Sequence, residues 1–93
     1  MEFQPIIHPR IHRTHPDIDQ QDIMEVWRNA IVSAPIINSQ ESRQVWLTLG
    51  FDGQGRLMEL ASVNDEARLW MVFHAMTPPS RKTLREFLTS GRD

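Results

Sequence analysis

Three short apolar runs crowd the second half of the chain: Gln44 to Leu49, Leu57 to Val63 and Arg68 to His74. The first gap between them is Gly50-Phe51-Asp52-Gly53-Gln54-Gly55, and the second is Asn64-Asp65-Glu66-Ala67. Strand-length runs joined by short clusters of turn-forming residues predict an antiparallel meander. In the first run Val45, Leu47 and Leu49 share one face, with Trp46 and Thr48 on the other. In the third, Leu69, Met71 and Phe73 alternate with Trp70, Val72 and His74. Both faces carry apolar groups, so neither is fully solvated.

The first half is helical. Phe3 to Ile7 is a short edge strand or an extended lead-in, because Pro5 is incompatible with a central strand. Pro9 suits the first turn of a short helix, which Pro16 stops near Thr14. A second helix follows with Asp19 as N-cap and Asp22 and Glu25 in its early turns. Ile23, Val26, Trp27, Ala30 and Ile31 recur at helical spacing and define its buried face, and Pro35 closes it. Ile36 to Ser42 is a loop or a further short strand. After Pro78-Pro79, Ser80 caps a last helix with Leu84, Phe87 and Leu88 as its apolar stripe and Gly91 near its end. The expected fold is α+β in a single domain, residues 1–93: two N-terminal helices, a three- or four-stranded antiparallel meander, and a C-terminal helix.

With 93 residues, 40% hydrophobic and 24% charged, the chain supports one core. It has no cysteine, which removes disulfides and thiolate metal sites and favours a cytoplasmic location. No run approaches a membrane span and no signal-like apolar stretch opens the chain. The formal charge of −2 argues against a generic nucleic-acid coat. Cations are nevertheless grouped, in His8 to His15 and again in Arg81, Lys82, Arg85 and Arg92.

Three stretches resemble a known family. Arg10 to Val32 pairs a basic, histidine-containing helix with an acid-capped one. Leu49-Gly50-Phe51-Asp52-Gly53-Gln54-Gly55-Arg56-Leu57 is a Gly…Gly-Arg-Leu hairpin. The last strand ends in His74-Ala75, followed by Thr77 and Arg81-Lys82. Together they resemble the BrnT-type toxins of bacterial type II toxin–antitoxin pairs, which share a RelE-like sheet. The chain reads as a divergent member: Thr14-His15-Pro16 stands where the family has Lys-His-Gly, and His74-Ala75-Met76 stands where it has Ser-Ala-Arg. The resemblance implies a metal-independent endoribonuclease that cleaves messenger RNA, restrained by a cognate antitoxin and using no cofactor.

Cleavage without a metal needs a base for the 2′-hydroxyl, an acid for the leaving oxygen and cations for the phosphorane. On that expectation His74 is general acid or base, Arg56 and Lys82 stabilise phosphate, and His15 assists from the first helix. Arg13, His12, Arg81 and Thr77 contact RNA. The helix start around Ser80 to Thr83 adds backbone donors for an anion. The alternative for His74 is a hydrogen-bonded strand end among solvated cations. His8, His12 and His15 also have the i, i+4, i+7 spacing of a three-nitrogen zinc site, but Pro16 frays the helix there, and no metal is assigned. Trp46 and Trp70 are core residues or stacking platforms for unpaired bases. A different class of function stays open: a non-catalytic binding domain that holds a partner protein or nucleic acid. Exposed edge strands and a methionine-rich surface are also compatible with a homodimer.

Overall fold

The computed structural model of the chain describes residues 4–36, 44–64 and 69–90, with side chains to 87 in the last stretch. The elements run β1 (Ile6–Ile7), α1 (Arg10–Thr14), α2 (Gln20–Arg28), β2 (Ala30–Pro35), β3 (Val45–Phe51), β4 (Leu57–Asn64), β5 (Trp70–Met76) and α3 (Arg81–Ser90). The fold is α+β. Among the described residues the sheet has five strands in the order β1-β5-β4-β3-β2. Strands β2 to β5 pair antiparallel in chain order, and β1 lies parallel to β5 with Ile6 opposite Met71 and Ile7 opposite Val72. The sheet is thus wider than the expected meander and mixed, because Ile6–Ile7 forms a true ladder at the β5 edge. No helix among the described residues is long and apolar enough to cross a membrane.

The boundaries of α1 and α2 follow their local signals. Pro9 occupies the N-cap position of α1, and the helix ends at Thr14, with the His15 N–H donating to the Ile11 carbonyl. Asp19 opens α2 in extended geometry, and its N–H donates to Asp22 Oδ2 at 2.9 Å as half of a capping box. The other end departs from the helical periodicity. α2 stops at Arg28, and Ala30 and Ile31 belong to β2, where Ile31 is exposed. The β-branched Ile31-Val32 pair favours extended backbone, and a strand there hydrogen-bonds along β3 from Gly50 to Trp46. Strand pairing outweighs one more turn of helix. Gly50 permits the close approach this needs: a Cβ there would sit 3.1 Å from the Val26 carbonyl oxygen and 3.2 Å from the Ala30 Cα. α2 and β2 therefore rest directly on β3.

One sheet face carries the main core cluster, while Val45, Leu49 and Ala61 are buried on the other. Met58 and Leu60 from β4 and Val72 and Ala75 from β5 pack against Ile11, Ile18, Ile23 and Val26, with Ile7 and Trp27 at the margin. All eight central residues are at most 3% exposed, so truncating any of the larger ones should cost about 2–5 kcal/mol. A bulge in β5 breaks the strict alternation expected of that strand. Ala61 faces His74 and Ser62 faces Val72, which leaves Phe73 as the extra residue. His74 therefore shares a face with Ala61 and Glu59 rather than with Val72 and Trp70. Leu84 and Phe87 of α3 are half-buried, as an apolar stripe requires. Phe3, Ile37 to Arg43, Asp65 to Arg68, the Leu88 side chain and Gly91 lie outside the described residues.

Candidate active site at the end of β5

The bulge places His74 beside Glu59, and their hydrogen bond of 2.7 Å joins His74 Nε2 to Glu59 Oε2. Glu59 is 4% exposed, a lone acid on a strand of apolar neighbours. An isolated buried carboxylate would be untenable, so its other oxygen must also be satisfied. Glu59 Oε1 accepts the Ser80 N–H at 2.8 Å, at the start of α3. Ser80 Oγ in turn accepts the Thr83 N–H at 3.2 Å, so Ser80 caps the helix as its sequence position predicts. Burial alone would raise the pKa of Glu59. The hydrogen bonds from His74, from the Ser80 backbone and from the Thr83 and Ser80 hydroxyls outweigh it and lower the value from 4.5 to about 2. The carboxylate is ionised at neutral pH. Being an acceptor only, it takes its hydrogen bond from the Nε2–H of His74.

Sequence alone signals an anion at the α3 N-terminus, and that anion is the chain's own Glu59. The cue was present: a single acid among Leu57, Met58, Leu60 and Ala61 has to find a partner when both sheet faces are apolar.

A cavity of about 240 Å³ opens at the β5 edge beside α1, with His15 and His74 among its lining residues, although the register turns the His74 side chain to the Glu59 face. Arg10 and Thr14 contribute from the same side of α1, four residues apart. Arg10 Nε donates to the Phe73 carbonyl at 3.4 Å, and its guanidinium carbon lies 6.0 Å from the Phe73 ring centroid. The bulged residue is thus what α1 grips, and an exposed cation is held beside the two histidines. Neither Arg10 nor Thr14 is among the site residues expected from the sequence; their spacing with Ile11 and His15 along one turn was the available signal.

The other expected site residues are elsewhere or engaged. Arg56 does not face the cavity: it is clasped by three acids. Its Nε lies 2.8 Å from Asp52 Oδ2, one terminal nitrogen 3.1 Å from Asp22 Oδ2 and the other 3.5 Å from Asp17 Oδ2. Asp52 is enclosed, yet its pKa falls, because the backbone N–H and guanidinium of Arg56 and the Gln54 N–H overcome the effect of burial. Arg56 therefore ties the β3–β4 turn to the start of α2, with its guanidinium engaged by carboxylates where a phosphate contact was expected of it. The Thr77 hydroxyl donates to the Leu57 carbonyl at 2.6 Å. His12 Nδ1 lies 3.3 Å from the Ile18 carbonyl oxygen, outside the cavity, and Arg13 is exposed. Arg81 and Lys82 are exposed in the first turn of α3, next to Ser80. His8 and His15 flank α1 rather than belonging to it, so the continuous three-histidine helix face does not form. No cluster of three or more His, Asp or Glu among the described residues is arranged to hold a metal. Trp46 and Trp70 lie outside the core cluster and, with Trp27, wall a separate cleft.

Comparison of the chain with family models, with curated proteins and with solved structures finds no match.

Proposed function

We propose that the chain is a metal-independent endoribonuclease of RelE-like, BrnT-type character, acting on messenger RNA in the cytoplasm and held in check by a cognate antitoxin. The observation that carries this reading is His74, oriented by an ionised Glu59 at the margin of a cavity that His15 and Arg10 also line. His74 Nδ1 takes the proton of a ribose 2′-hydroxyl, and the freed oxygen attacks the adjacent phosphorus. His15 gives a proton to the departing 5′-oxygen, leaving a 2′,3′-cyclic phosphate on one fragment and a 5′-hydroxyl on the other. Arg10 supplies the cation that the family pattern places where Met76 stands here, and it stabilises the phosphorane in place of Arg56. Lys82 and Arg81, exposed at the head of α3, extend the binding surface for the strand.

The test is growth after tightly controlled induction in a bacterial host, wild type beside His74→Ala at matched soluble expression. The reading expects arrest by the wild type and normal growth with the variant. Equal growth of both overturns it.

One observation favours a second reading, a non-catalytic domain that binds a partner protein or nucleic acid. Arg56, the cation best suited to bidentate phosphate contact, is already saturated by carboxylates. Salt dependence separates the two partners: RNA binding weakens steeply with salt, whereas apolar protein binding does not.

A further inference from the structure

The three tryptophans meet on the core-side face of the sheet, Trp27 from α2, Trp46 from β3 and Trp70 from β5. Trp70 stands edge-on to Trp27, with ring centroids 5.7 Å apart at 63°, and to Trp46 at 6.0 Å and 82°. Neither pair is stacked face to face. Together they wall a cleft of about 270 Å³ in which, among the described residues, no charged side chain appears. Three hydroxyls line it: Ser33, Thr48 and Ser62, from adjacent strands β2, β3 and β4. Ser33 Oγ and Thr48 Oγ1 bond to each other at 2.9 Å. Ser62 is 1% exposed, and its Oγ has no hydrogen-bond partner among the described residues.

A buried hydroxyl without a partner is a standing cost, whereas alanine at the same place would carry none. A ligand atom that reaches Ser62 removes that cost. The lining then specifies the ligand. Absence of charge selects a neutral group, and aromatic walls select a planar one. The volume admits one ring system, being below the range of ordinary ligand pockets. Hydroxyls that both donate and accept select a heterocycle with both functions at its edge over a plain hydrocarbon ring. We infer that this cleft binds a purine base, presented by a free nucleoside or by an unpaired strand. The inference goes beyond the proposed cleavage and does not require it. β5 carries Trp70 and His74 four residues apart, about 13 Å along the strand, but on opposite faces of the sheet, so the two recesses are separate sites.

The chain contains three tryptophans and no tyrosine, so its intrinsic fluorescence reports on this cleft alone. The experiment titrates adenosine and guanosine into the full chain, excited at the red edge of tryptophan absorption. The expected result is saturable quenching in the millimolar range, with uridine binding more weakly. Ser62→Ala should weaken purine binding about tenfold while raising the melting temperature of the unliganded protein. His74→Ala should bind nucleoside like the wild type, which keeps this test separate from that of cleavage. A short oligouridylate containing one adenine identifies the source: tighter binding than adenosine assigns an unpaired strand, and equal or absent binding assigns the free nucleoside. No saturable signal in the wild type, equal affinity for uridine, or unchanged purine affinity in Ser62→Ala overturns the inference. So does binding of indole without binding of adenosine, which would assign the cleft to an aromatic side chain of a partner.

Discussion

Arg56 and Glu59 show at the level of single residues how a buried charge chooses its partners. Asp52 Oδ1 accepts the N–H groups of Gln54 and Arg56, both at 2.9 Å, and its Oδ2 takes the guanidinium. The side chains of Asp52 and Asp22 are 0% and 7% exposed. Removing Arg56 strands both charges, which is the costly way to break a buried pair. Arg56→Ala should therefore destabilise the fold by about 2–4 kcal/mol in denaturant titration. Its cleavage rate, measured where circular dichroism shows the variant folded, should stay within a few-fold of wild type. A folded Arg56→Ala protein that loses cleavage entirely would restore the phosphate role. His74 was legible in the sequence because a histidine at a strand end near cations suits phosphoryl chemistry. Arg56 was legible as a cation but not as a clamp: the acids at 17 and 22 lie far away in the chain, and only the packing of α2 on the hairpin brings them close. Glu59 needed the bulge at Phe73 to meet its histidine, and no residue type announces a bulge.

At the scale of elements, Glu59 couples β4 to both β5 and α3, through His74 on one side and the Ser80 N–H on the other. Its pKa in the fold is about 2, below its ordinary 4.5. The stabilisation is therefore fully present above about pH 4.5 and is lost as pH falls through the interval toward 2. A shift of this size corresponds to something on the order of 3 kcal/mol. Unfolding of the wild type should show this loss across that interval. Glu59→Gln should be less stable at neutral pH and show a flatter acid dependence; an identical acid profile for the two proteins would contradict the coupling. Capping and turn chemistry made most element boundaries readable, as at Asp19, Pro16 and Ser80. The end of α2 was not readable, because Ile31 fits the helical stripe of Ile23 and Val26 as well as it fits a strand. Gly50 and the β3 edge decide the matter, and they are tertiary facts.

The whole molecule joins two unlike recesses through one strand. β5 enters beside the tryptophan cleft at Trp70, bulges at Phe73 under the grip of Arg10, and turns His74 to Glu59 on the other face, at the margin of the cavity against α1. A net charge of −2 is compatible with an RNA substrate because so many acids are spent internally: Asp17, Asp22 and Asp52 on Arg56, and Glu59 on His74 and Ser80. Arg10, Arg13, Arg81 and Lys82 remain exposed. The α+β class and the run of antiparallel strands followed from the patterning of the second half. A short edge strand was one of the two readings of Phe3 to Ile7; its parallel pairing with β5 was not, since two residues carry too little periodicity to show a partner.

The central claim is that His74, backed by Glu59, cuts RNA together with His15 at the margin of the α1–β5 cavity. The most direct measurement is cleavage of an end-labelled single-stranded RNA by purified protein in chelator, with analysis of the new termini. The account predicts 2′,3′-cyclic phosphate and 5′-hydroxyl ends from the wild type, with rates lower by about 10²-fold or more in His74→Ala and His15→Ala. Intact RNA in the presence of folded wild-type protein, or equal cleavage by folded His74→Ala, would contradict it.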